Sequence, residues 1–112
     1  FPLYTVAILF WGNFTICQNY ENSLIKSGYD FDEGLKAVHL IAKDRNAHGC
    51  IALKTTHGQH LADFKYALDD ALDGSGIQLV TISRPTAYGE YAPYRFVHSE
   101  EEFAAQVLAM RA

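Results

Sequence analysis

The chain has 112 residues, 49% of them hydrophobic and 20% charged, which suits a single domain that buries its own core without metal or disulfide support and excludes disorder as its main state. A formal net charge of −4 and a pI near 5.6 argue against nonspecific nucleic-acid binding, which needs a concentrated basic field. The nine Lys and Arg are scattered along the sequence and suggest no basic face.

In chain order, Leu3 to Trp11 is rich in Tyr, Val, Ile, Phe and Trp and is stopped by Gly12-Asn13, which predicts a strand buried on both faces. This apolar opening has no basic region before it and is too short to cross a bilayer, a span of about 20 residues. The start at Phe1 rather than Met reads as a processing or cloning boundary, and residues 1–34 as an N-terminal extension packed on, or swapped with, a core of residues 35–112. Asn13-Phe14-Thr15 matches a glycosylation sequon, a pattern that arises often by chance. Ile16 to Ser27 reads as a short helix closed by Gly28, and Tyr29 to Gly34 as a turn. Cys17 and Cys50 are expected to be free, buried thiols in a reducing, cytoplasmic compartment.

Ala37 to Lys43 and Cys50 to Thr55 are apolar-alternating runs on either side of Asp44-Arg45-Asn46-Ala47-His48-Gly49, which predicts a β-hairpin. Thr56 with Gln59 forms a capping box, and Leu61, Phe64, Leu68, Ala71 and Leu72 follow at helical spacing until Gly74-Ser75-Gly76. Ile77 to Ser83 predicts a strand, Tyr94 to His98 a partner strand, and Ser99 with Glu100, Glu101 and Glu102 the start of a last helix with Phe103, Val107 and Met110 buried. The expected fold is α+β, a two-layer helix-on-sheet arrangement with a mainly antiparallel sheet and a C-terminal part ordered β-β-α-β-β-α.

Leu40-Ile41-Ala42-Lys43, Gly49-Cys50-Ile51-Ala52-Leu53-Lys54-Thr55, Thr81-Ile82-Ser83 and Tyr88-Gly89-Glu90-Tyr91-Ala92-Pro93-Tyr94 together resemble a small uncharacterised bacterial domain family, over about Val38 to Met110. The resemblance implies a compact domain and brings no established activity.

Between Arg84 and Arg95 the chain reads Arg-Pro-Thr-Ala-Tyr-Gly-Glu-Tyr-Ala-Pro-Tyr-Arg. Tyrosine offers a rigid apolar face and a hydroxyl at low entropy cost, and Tyr and Arg are enriched at binding hot spots. Tyr88, Tyr91 and Tyr94 are therefore candidate contacts for a partner, with Arg84 and Arg95 anchoring an acidic group and Glu90 rejecting wrong partners. The plainer alternative is a rigid connection in which Pro85, Pro93 and Gly89 set the backbone and the tyrosines pack over the sheet edge.

His57, His60 and Asp63 are spaced three apart, a permissive pattern for a divalent metal, with His48 or His39 as further ligands; a solvated polar helix start explains the same pattern. The amides of Thr56, His57 and Gly58 offer an anion site that simple capping by Thr56 and Gln59 would equally occupy. Asp69, Asp70 and Asp73 put negative charge in the last turn of a helix, where the dipole disfavours it, and Asp30-Phe31-Asp32-Glu33 is an acidic cluster without a calcium-loop register. Cys50 with His48 two residues earlier is the one thiol arrangement in view, and a buried apolar cysteine fits it better than a nucleophile does.

These readings point to a non-catalytic interaction domain that recognises a protein partner, or itself, through the Tyr/Arg loop, with an exposed sheet edge as a route to a homodimer. No cofactor, nucleic acid or membrane is implied. The alternative is a small metal-assisted hydrolase or nuclease built on His57, His60 and Asp63.

Overall fold

A computed structural model describes residues 6–27, 31–55, 61–84 and 95–112. Its elements in chain order are β1 (Val6–Gly12), α1 (Phe14–Asn19), α2 (Glu21–Lys26), α3 (Phe31–Ala42), β2 (His48–Thr55), α4 (Leu61–Leu72), β3 (Gly76–Thr81), β4 (Arg95–Val97) and α5 (Glu100–Arg111). The α+β composition agrees with the sequence pattern, but the sheet is mixed. Its strands are ordered β3-β2-β1-β4, with β1 antiparallel to β2 and parallel to β4, and β2 parallel to β3.

The expected hairpin is absent because Ala37 to Lys43 belongs to α3. Short apolar runs fit either period, and here the helical one prevails. Gly34, Ala37, Val38 and Ile41 are buried at i, i+3, i+4 and i+7, whereas Leu40, which an alternating strand would have buried, is 58% exposed. The supposed turn of residues 29–34 is in part the first turn of the same helix, with Asp32 and Glu33 at the dipole's favourable end. Asp44 to Ala47 then connects α3 to β2, and Asp44 Oδ1 accepts the Asn46 amide as an Asx turn does. The C-terminal order is accordingly α-β-α-β-β-α.

The single helix expected over Ile16 to Ser27 is two, broken at Tyr20, whose backbone leaves helical geometry (φ −126°, ψ −15°) and whose hydroxyl lies 3.1 Å from Asp44 Oδ2. The residue at the sequon has a structural task. Asn13 Nδ2 donates to the Asn46 carbonyl (2.7 Å), Asn13 Oδ1 accepts from the His48 amide (3.2 Å), and the Asn13 amide donates to the His48 carbonyl (2.9 Å). The turn after β1 is thereby tied to the entrance of β2.

Side chains alternate across each strand, and the alternation sorts the core into two clusters. Ile8 and Phe10 of β1, Ile51 and Leu53 of β2 and Ile77 of β3 pack with Ile16, Leu24, Val38, Ile41, Phe64 and Leu68 from the first four helices. Phe96 of β4 stacks on Phe10 with ring centroids 5.3 Å apart. On the opposite face Leu9, Ala52, Ile82 and Val97 meet Phe103 of α5, flanked by Trp11, Cys50, Val107 and Met110. Helices thus lie on both faces rather than in the one layer expected. α5 packs against β1 and β4. Its first turn is capped by Ser99 Oγ, which accepts from the Glu102 amide, as the sequence predicts, and its last turn by Lys54, whose buried ammonium donates to the Met110 carbonyl (2.6 Å).

The strand expected over Tyr94 to His98 forms as β4, but it pairs with β1 and not with β3. β1 offers it an unpaired, apolar edge, whereas pairing with β3 would leave Phe10 and Leu9 at the rim of the sheet.

Candidate functional site

Strand register places the residues singled out by the sequence. Thr81 lies beside Leu53, Leu53 opposite Ile8, and Arg95 beside Leu9, so β2 and β3 end at the same edge of the fold where β1 and β4 begin. Between Thr81 and Arg95 the chain has to travel from one edge strand to the other, three strand spacings or about 14 Å. Arg84 is exposed just beyond β3. Arg95 is exposed at the start of β4, and its guanidinium donates to Gln106 Oε1 of α5 (2.9 Å). Tyr88, Glu90, Tyr91 and Tyr94 lie outside the described residues.

The same end receives the start of α4, with Asp63 exposed in its first turn; His57, His60, Thr56, Gly58 and Gln59 lie outside the described residues. His48 begins β2 and is separated from Thr55 by the full strand, about 23 Å. It therefore cannot complete a site at the start of α4. His39, in the last turn of α3, likewise sits toward the β2 entrance. Among the described residues no three His, Cys, Asp or Glu side chains gather into a metal-holding group. The acidic end of α4 is partly neutralised, since Lys65 Nζ lies 2.5 Å from Asp69 Oδ2 one turn away.

A feature the sequence reading missed lies at the opposite end of the sheet, on the α5 face. Trp11, Cys50 and Gln78 are in register across β1, β2 and β3 and line one end of a groove of about 370 Å³, with His48, Gly49 and Gly76 on its strand side and Glu100 and Phe103 on its α5 side. The signal for Trp11 and Cys50 was present in strand alternation, but Gln78 joins them only once the parallel β2–β3 register is known. The groove combines aromatic surface with an amide, an imidazole and a carboxylate. Its thiol is no ready nucleophile: burial pushes the Cys50 pKa up, which keeps the sulfur protonated, and no hydrogen bond joins it to His48 among the described residues. The glycines here serve the strands, because a Cβ on Gly49 would lie 2.1 Å from the Trp11 carbonyl oxygen and one on Gly76 2.8 Å from that of Ala47. Cys17 is also unpaired, and burial raises its pKa as well.

No helix among the described residues is long and apolar enough to cross a membrane. No curated protein and no solved structure matches the chain. A family profile described as Family of unknown function (DUF6718) matches residues 38–110, a span that starts inside α3 and leaves out β1, the strand between β2 and β4. With well over half its length matched, the chain belongs to that family.

Proposed function

We propose that the protein is a non-catalytic interaction domain that recognises a protein partner through the connection from Arg84 to Arg95. One observation carries the reading: the two arginines bounding the tyrosine-rich segment are both exposed at the same end of the sheet, Arg84 just beyond edge strand β3 and Arg95 at the start of edge strand β4. Two guanidinium groups so separated suit a partner with dispersed acidic groups, and Tyr88, Tyr91 and Tyr94 supply faces and hydroxyls between them. Glu90 disfavours partners that present a carboxylate to this segment. The absence of an activated thiol in the sheet groove favours binding over thiol chemistry there. Two unpaired cysteines fit a cytoplasmic setting.

Affinity capture followed by mass spectrometry, using the wild-type chain and the triple variant Arg84→Ala/Tyr88→Ala/Tyr91→Ala, tests the proposal. The wild type should retain a stoichiometric protein that the variant loses, while the variant still unfolds cooperatively on heating. An unchanged set of bound proteins, or a variant that no longer folds, would remove the support.

A further inference from the structure

We infer that α5 is a self-pairing surface, and that two copies of the chain associate through antiparallel packing of their α5 helices. The surface is built from residues of α5 and β3, and the inference does not rest on the reading of the Arg84–Arg95 connection.

The inward side of α5 is occupied: Phe103, Val107 and Met110 pack on the sheet. A second stripe, Glu101, Ala104, Leu108 and Arg111, follows at spacings of three, four and three, which places all four on one side of the helix. Leu108 is 72% exposed, a large apolar side chain left open by the described residues around it. Beside it Val80, Phe103, Ala104, Val107, Leu108 and Arg111 line a groove of about 260 Å³ along the part of β3 that α5 leaves open. Neither Glu101 nor Arg111 has an ion-pair partner among the described residues.

What selects a second copy as the occupant is the order of residues along the stripe. A two-fold axis perpendicular to a helix pairs it with its mate antiparallel, and each contact then occurs twice. With the axis level with Gln106, Glu101 of one copy meets Arg111 of the other, and Leu108 of one covers Ala104 of the other. Acid therefore faces base at both ends, and a large side chain faces a small one at both central positions. Ala104 lets the axes approach to about 8–9 Å, the close end of ordinary helix packing. A parallel arrangement would oppose like charges at each end and Leu108 to Leu108. The contact is small and polar at its rim, so association should be reversible and concentration-dependent.

The test is size-exclusion chromatography with light scattering across a dilution series of the full chain. A mass that rises from one copy to two with concentration is expected. Leu108→Glu should abolish the rise, and its exposure keeps the fold out of question, as thermal unfolding would verify. Glu101→Lys and Arg111→Glu should each weaken association roughly tenfold, from attraction turned to repulsion at two symmetric sites. The double variant Glu101→Lys/Arg111→Glu should restore it. A monomeric mass at every concentration would overturn the inference. So would a dimer indifferent to Leu108→Glu, or a double variant no better than the singles, since either outcome moves the contact away from α5 or removes its antiparallel register.

Discussion

The two faces of the sheet are closed in different ways. On one, four helices pack over residues from all four strands, and Phe10, Ile16, Val38, Ile41, Ile51, Leu53 and Leu68 are wholly removed from solvent. On the other, α5 alone among the described residues spans β1 and β4, and Gln78 remains exposed on β3 with Val80 half-buried. The first face is where burial area, and so most of the hydrophobic stabilisation, is concentrated. The second has less to lose and more surface to offer, which is why the grooves and the exposed Leu108 are found there.

The largest expected effect probes that division directly. Phe10→Ala removes a fully buried ring and its stacking on Phe96, and should cost about 4 kcal/mol in urea unfolding. Phe103→Ala, beside open grooves that solvent can enter and neighbours can relax into, should cost less, roughly 2–3 kcal/mol. Equal losses would mean that the second face is packed as tightly as the first. Gln78→Leu should then change stability by no more than about 0.5 kcal/mol, as expected for an exposed position outside both clusters. A gain well beyond that would place Gln78 in a drier setting than its exposure implies.

The smallest effect concerns reactivity rather than stability. Burial raises the Cys50 pKa, so at a given pH less of it is thiolate than of an ordinary cysteine, and in a Cys17→Ser background its alkylation by iodoacetamide near pH 8 should run several-fold slower than that of a free thiol. Its rate should keep rising with pH after that of the free thiol has levelled. A faster reaction would reinstate the thiol in the sheet groove as a chemical group.

Elements with strong local signals were legible in the sequence. The Leu61–Leu72 stripe, the Ser99 cap and the apolar run before Gly12 all formed where their spacing and capping chemistry predicted. What misled was the ambiguity of a short apolar run: Ala37 to Lys43 satisfies a strand pattern, and only the buried positions of Phe31 to Ala42 taken together expose the helical period. With that helix misread, a hairpin strand stood in place of α3, and the partner of β2 was sought there rather than in β1 and β3. Strand order was illegible for a different reason, since nothing local to Arg95–Val97 states that its partner is β1. The Trp11–Cys50–Gln78 row depends on that same long-range register. By contrast, the inward stripe of α5 was legible from spacing alone, since Phe103, Val107 and Met110 pack on the sheet as expected.

The position of β1 between β2 and β4 also sets a timetable for synthesis. The strand is made well before β4, and one of its edges meets no partner until Arg95–Val97 have left the ribosome, on the order of ten seconds later at ordinary translation speeds. Throughout that interval a nascent chain holds an apolar strand with an open edge, so the sheet closes only once β4 has been made, and that edge is the natural place for a chaperone to wait.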